Sequence, residues 1–246
     1  MSARRHRPPL LILQTGQPTD SMRRHGSFAH WIRVAAGLDR DDAVVVDVAQ
    51  GEPLPARAGF AGVIVTGSAA MVTDRHDWSE RSAAWLAEAA QAGLPLFGIC
   101  YGHQLLAHAL GGTVGPNPRG REIGTVPIEL TPLAQQDPLF AGLPARFSAQ
   151  ATHLQSVLQP PAGAHVLARN EHDACHAFRW GQAVWGVQFH PEFATRHMHG
   201  YLQARRAALS AEGRDARHLQ AQVHATPQAR RVLRRFVRHA HGRRAG

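Results

Sequence analysis

The sequence predicts an α/β fold: an open, mainly parallel central sheet flanked by helices, followed by a strand-rich antiparallel extension. Three observations carry the prediction. Short apolar, β-branched runs at residues 10–13, 44–48, 63–66 and 96–99 suit buried central strands. Helical stretches near residues 28–36, 80–92 and 102–110 fall between some of them, the alternation of a parallel sheet with ligands at the carboxyl ends of its strands. From 121 to 189 the segments become shorter and strand-rich, with no internal repeat. A chain of 246 residues that is 44% hydrophobic can bury one sizeable core.

Taken in order, the basic run Arg4-Arg5-His6-Arg7 before an apolar stretch superficially resembles a signal peptide, but the stretch ends at Gln14-Thr15-Gly16 and reads better as a first strand. Residues 14–26 then carry two arginines and little apolar content; they border a site or, the preferred reading, form a surface loop. No segment approaches the length needed to span a bilayer. Two cysteines without C-x-x-C spacing argue against a disulfide scaffold or a structural zinc, and a cytoplasmic location is expected.

The run at 94–99 leads straight into Gly98-Ile99-Cys100-Tyr101-Gly102, and a helix follows in which Leu105, Leu106, Ala109 and Leu110 share a face before Gly111-Gly112 stops it. A strand that turns into a helix at a residue flanked by glycines has the form of a nucleophile elbow. Cys100 is expected to be exposed and reactive, at a helix N-terminus whose free N–H groups favour a thiolate. Cys175 has no such setting and reads as structural.

A thiolate nucleophile needs a proton carrier and a group that orients it. Residues 184–189 form another strand-like run, which Pro191 ends, leaving His190 and Glu192 at its tip. Two residues apart in extended chain they face one side, so Glu192 can fix the tautomer of His190. Cys100, His190 and Glu192 then make a nucleophile, base and orienter.

Together, Gly98-Ile99-Cys100-Tyr101-Gly102-His103-Gln104, Gly111-Gly112 and Gln188-Phe189-His190-Pro191-Glu192 resemble the class I (triad) glutamine amidotransferases. The likeness is strongest to the amidotransferase domain of GMP synthetases and its stand-alone relatives. Arg121-Glu122-Ile123-Gly124, Asp137-Pro138-Leu139-Phe140-Ala141-Gly142-Leu143-Pro144 and Thr152-His153 before Ser156-Val157 support it, over residues 10–195. The resemblance implies a flavodoxin-like fold and cysteine attack on the glutamine side-chain amide, with a glutamyl thioester and ammonia as products and no cofactor. It implies oxyanion donors at the backbone of Tyr101 and of Gly67 or Ser68, and a substrate pocket involving Gln104, Thr152, His153 and Leu154. Two positions depart from the family: Gly67-Ser68-Ala69 stands where Gly-Gly-Pro is common, and Gln155 where an acidic residue is usual.

Three functions remain open from sequence. The first is a glutaminase feeding ammonia to an acceptor or partner synthetase. The second is a free-standing γ-glutamyl hydrolase or peptidase acting on another γ-glutamyl amide. The third is an inactive binding or sensor relative, against which the intact Cys100, His190 and Glu192 count. These residues hold neither a pyrophosphatase loop nor a P-loop, so GMP synthesis by this stretch alone is not expected.

Charge divides the chain. Residues 1–200 hold 16 Arg and 16 acidic residues, whereas 201–246 hold 11 Arg against Glu212 and Asp215, so the whole net charge of +9 lies in the tail. An amidotransferase domain over 1–200 and an Arg-rich helical extension over 201–246, packed on the same domain, are expected. Thr226-Pro227 opens a helix whose apolar stripe is Val232, Leu233, Phe236 and Val237. Its arginines read as a solvated face; all 27 basic residues are Arg, a compositional bias that weakens any nucleic-acid reading. The 17 histidines include His172 and His176 around Cys175, and His197 near His199, but no spacing closes a tetrahedral site and no metal is assigned.

Overall fold

The computed structural model describes residues 7–242. The N-terminal Arg4, Arg5 and His6 and the last residues of the tail lie outside them. In chain order the elements are β1 (Leu10–Gln14), α1 (Asp20–Arg23), α2 (Phe28–Ala36), β2 (Ala43–Asp47), β3 (Gly62–Val65), α3 (Asp77–Gln91), β4 (Leu96–Ile99), α4 (Tyr101–Ala109) and β5 (Thr113–Pro116). There follow β6 (Glu122–Leu130), β7 (Arg146–His153), β8 (Gln155–Gln159), β9 (His165–Arg169), β10 (Ala177–Trp180) and β11 (Val184–Val187). Helices α5 (Thr195–Ala204), α6 (Arg206–Ala211), α7 (Ala216–Ala221) and α8 (Pro227–Gly242) close the chain.

One nine-stranded sheet runs in the order β2-β1-β3-β4-β11-β10-β9-β6-β7, and β5 pairs with β8 in a small second sheet. The pairs from β2 through β4 to β11 are parallel; those from β11 to β7 are antiparallel. This is the expected parallel sheet with an antiparallel extension. The register Val187↔Ile99 between β11 and β4 ends both strands level, which brings the chain after β11 back beside the residue after β4.

Strand alternation divides the core. Leu10, Ile12, Ile64, Phe97 and Ile99 face α2 and α8, while Leu11, Leu13, Val63, Val65 and Leu96 face α3 and α4. Both faces are covered, so the central strands are apolar throughout. Helix α8 buries Val232, Leu233, Phe236 and Val237, the stripe expected from sequence, and Phe236 stacks on Phe97 at 5.1 Å. Arg231, Arg234 and Arg238 stay exposed, and Arg235 donates to the carbonyls of Leu139 and Ala141. Helix α5 runs unbroken across residue 200. A third cluster, built on Met22, Phe28, Trp31, Phe193 and Tyr201, joins α1 and α2 to α5. Among the described residues no helix is long and apolar enough to cross a membrane.

Candidate active site

Cys100 sits between β4 and α4 at φ +52°, ψ −102°, one of two non-glycine residues with positive φ among those described. Such backbone costs roughly 1–3 kcal/mol and persists only where its surroundings impose it. Here they do. Its N–H donates to the Val187 carbonyl at 2.8 Å, and the Gly102 N–H donates to Thr66. A Cβ at Gly98 would collide with the Gly102 backbone, and one at Gly102 with the Val65 carbonyl. Glycine is therefore required at both positions for the turn to close this tightly. The side chain is less open than the sequence suggested: Cys100 is only 6% exposed, because the end of β7 covers it and the Thr152 carbonyl receives its thiol at 3.7 Å.

His190 and Glu192 follow β11. The His190 N–H donates to the Gln150 carbonyl at 2.7 Å, and its ring stacks on Phe193, which fixes the imidazole plane. Nδ1 meets Glu192 Oε1 at 2.7 Å, while Nε2 is buried with no hydrogen-bond partner in the protein. Burial opposes charge on this imidazole, but the Glu192 carboxylate and the Cys100 sulfur outweigh it and push the pKa up to about 10.

Tyr101 is the first residue of α4, so its N–H has no carbonyl one turn back to bond. Its phenol bonds Ser79 at 2.6 Å and is pushed up to about 12, chiefly by burial. At the loop after β3, the Gly67 carbonyl accepts from the hydroxyls of Thr15 and Thr66 at 3.1 and 2.9 Å. A trans peptide points the following N–H the opposite way, so the Ser68 N–H is directed away from these two threonines.

Cys100 opens onto two lobes. The larger, about 340 Å³, is bounded by Gln17, Pro18, Thr19, Asp20, Arg23, Phe28, Tyr201 and Arg205 together with His190. Residues 14–26 are thus a wall of the site and not a detached surface loop; Met22, buried in the third cluster, anchors them. The smaller, about 50 Å³, is bounded by Ser68, Gln104, Arg121, Thr152, His153, Leu154, Gln155 and Arg205. Gln104 is buried, and its amide donates to the Gln155 carbonyl and to Gln188 Oε1. The His153 side chain is 1% exposed and turns away: Nδ1 meets the same Gln155 carbonyl at 3.0 Å and Nε2 meets Glu122 at 2.8 Å. Gln155 Nε2 is held by Thr73, which leaves its Oε1 buried without a partner.

Behind the small lobe lies a cluster that the sequence reading did not assemble. Glu122 Oε2 meets both His153 Nε2 and, at 2.9 Å, His176 Nε2, and its Oε1 accepts from Asn170. Burial opposes the Glu122 charge, but the two imidazoles hold this carboxyl far below the usual range. Cys175, beside it in sequence, packs in the apolar core, where burial pushes its thiol well up. Arg121 was legible only as part of a motif, and Arg205 had no sequence signal at all.

A family model described as glutamine amidotransferase class-I matches residues 26–206. Among curated relatives, a glutamine-hydrolyzing GMP synthase of Aeropyrum pernix is 43% identical over 145 residues, covering 58% of this chain and 26% of the relative. A glutamine-hydrolyzing GMP synthase subunit of Pyrococcus abyssi is 39% identical over 106 residues, 42% of this chain and 54% of the relative. The chain therefore spans between a quarter and about half of these relatives' length. A solved glutamine amidotransferase of Thermotoga maritima shares the fold, with a TM-score of 0.77 at 20% identity over 97% of this chain and 100% of that one.

Proposed function

This chain belongs to the class I glutamine amidotransferase family, and from that premise we propose that it runs the glutaminase half-reaction with Cys100 as nucleophile, His190 as proton carrier and Glu192 as orienter. The observation that carries this reading is one juxtaposition. At the level ends of two adjacent parallel strands stand a cysteine in imposed positive φ and a histidine whose Nδ1 is taken by a carboxylate while Nε2 has no partner in the protein.

Cys100 Sγ attacks the side-chain amide carbon of glutamine, and the proton held on His190 passes to the leaving nitrogen, which departs as ammonia. Water, deprotonated by the same imidazole, then attacks the thioester carbon; the C–S bond breaks, glutamate leaves and the thiol is restored. The oxyanion is met by the Tyr101 N–H and, of the two candidates Gly67 and Ser68, by the Ser68 N–H. The pinned Gly67 carbonyl favours that choice, since it directs the next N–H outward.

The glutamyl part is assigned to the small lobe against Thr152, Leu154 and Gln155, with Arg205 as partner for its carboxylate. Gln104 and His153 act from behind as positioning residues, since both hold the Gln155 carbonyl. We further propose a separate synthetase as the ammonia acceptor, by analogy with the Pyrococcus abyssi relative, which is itself one subunit of a GMP synthase, and a cytoplasmic setting that keeps the thiol reduced. The division at residue 200 stands as a proposal too, with α8 packed into the first unit's core.

The test is ammonia and glutamate release from glutamine by the purified chain beside Cys100→Ala, with other γ-glutamyl amides in parallel. Cys100-dependent glutamine hydrolysis supports the proposal. Turnover of another γ-glutamyl amide with none of glutamine, even with a synthetase added, replaces it by a free-standing hydrolase.

A further inference from the structure

The cluster behind the small lobe has the makings of a second site. We propose that Glu122, His153 and His176 bind one divalent transition-metal ion, with Zn²⁺ as the first candidate, and that this ion clamps the strands forming the wall of the cavity beside Cys100. The three residues come from the start of β6, the end of β7 and the residue before β10, and the register Glu122↔His153 sets the first two side by side. One ligand atom from each lies within 4.8 Å of the others.

Three features point to a cation at their centre. First, His153 Nδ1 faces the Gln155 carbonyl, so Nδ1 carries the hydrogen and, in the neutral ring, the Nε2 lone pair is aimed at Glu122. A ring nitrogen that donates to a main-chain carbonyl while the other points inward is the usual arrangement of a metal-ligating histidine. Second, His176 is fully buried, and neither of its ring nitrogens has a hydrogen-bond partner, although Nε2 stands 2.9 Å from Glu122 Oε2. An ion at the centre takes one lone pair from each of the three residues and gives one buried His176 nitrogen a partner. Third, Asn170 holds Glu122 Oε1 at 2.7 Å, which orients the carboxylate and leaves Oε2 free to ligate.

The donor set of two imidazoles and a carboxylate suits Zn²⁺. Tetrahedral bonds of about 2.0–2.2 Å place ligand atoms roughly 3.3–3.5 Å apart. The observed 2.8 and 2.9 Å spacings therefore need to open by only about half an ångström. Glu122 also borders a surface cavity of about 500 Å³, which provides a route in and a fourth ligand from solvent. His153 directly follows Thr152, whose carbonyl receives the Cys100 thiol. The ion would thus act on the site through strand position, and no step of amide hydrolysis runs through it.

The test is titration of the untagged, chelator-stripped chain with Zn²⁺ by calorimetry and with Co²⁺ by absorption. Expected are one ion per chain at micromolar affinity or better and the intense visible bands of four-coordinate Co²⁺. His176→Gln should weaken binding by about 100-fold or more, whereas Cys100→Ala leaves stoichiometry and affinity unchanged. That control separates this proposal from the fate of the glutaminase reading. Absence of stoichiometric binding in the unmodified chain, or only the weak six-coordinate Co²⁺ spectrum of surface histidines, overturns it, as does affinity undiminished in both His176→Gln and Glu122→Gln. The Co²⁺ spectrum decides even where a variant fails to fold.

Discussion

Two buried imidazole–carboxylate pairs sit within one fold, His190 with Glu192 and His153 with Glu122, and they differ in what the second ring nitrogen meets. In the first, Nδ1 holds the carboxylate and Nε2 has no protein partner, on a residue that lines the cavity with Cys100. In the second, both nitrogens face acceptors: a carboxylate on one side and a main-chain carbonyl on the other. A histidine left with one uncommitted nitrogen can move a proton, whereas one engaged on both sides can only hold things together. The chemistry is therefore set by the remaining neighbour and not by the pair.

Exchanging each histidine for glutamine should break the comparison most sharply. His190→Gln is expected to lower kcat by about 10³-fold or more, since the proton carrier is lost, and to lower the melting temperature as well, since buried Glu192 loses its imidazole partner. His153→Gln should cost stability alone. It takes one of two imidazoles from a buried carboxylate that keeps His176 and Asn170, for a loss of about 2 kcal/mol in denaturant unfolding, while kcat of the folded enzyme stays within about tenfold. Equal kinetic losses in both variants would dissolve the distinction.

A second contrast lies along the loop after β3, between side chain and main chain. Ser68→Ala should leave turnover nearly intact, because its backbone N–H is the proposed donor. Ser68→Pro removes that N–H and should lower kcat by about 10²-fold, with a smaller effect on KM. Steady-state kinetics of the two variants decide between Ser68 and Gly67.

The alkaline limb of the pH–rate profile sharpens the role of Glu192. With His190 held up to about 10, imidazolium persists to that pH, and activity should fall only as pH rises through it. The same raised pKa makes a stabilising contribution that is complete below the unfolded imidazole value of about 6.5 and lost as pH climbs toward 10. Glu192→Gln removes the main charge that raises it. If His190 then titrates near 6.5, the protonated fraction at pH 8 falls about 30-fold, and the limb moves down accordingly. An unmoved limb would assign it to another group.

What was legible in the sequence follows the same division between local and distant causes. Strands β1, β3 and β4, the helices beside them and the pairing of His190 with Glu192 are written in contiguous residues, and they appear where expected. The burial of Cys100 depends on Thr152 and was not legible, because strand β7 arrives from 52 residues away. Residues 14–26 looked like a free loop because their anchors are distant in sequence: Gln14 and Gln17 bond Asp47, Thr15 bonds Thr66 and Gly67, and Met22 packs against partners on helices α2 and α5. Glu122, His153 and His176 share no periodicity at all; the β6–β7 register and the turn before β10 bring them together. Arg205 reaches both lobes from the turn between α5 and α6, beyond the recognisable motifs.

The smallest expected effect tests the position where the chain departs from its family. Gln155 borders the small lobe and carries a buried Oε1 without a partner, while Thr73 holds its amide nitrogen and Gln104 and His153 hold its carbonyl. That geometry offers an acceptor to the substrate's amino group but no charge. Gln155→Glu should keep the acceptor, take a hydrogen bond from the Thr73 hydroxyl and add attraction for an ammonium. Bound and reacting glutamine carry that ammonium alike, so the gain is uniform: KM for glutamine falls about three- to tenfold and kcat holds. A γ-glutamyl amide lacking the α-amino group should gain nothing, and an equal gain for both substrates would show that residue 155 does not read the amino group.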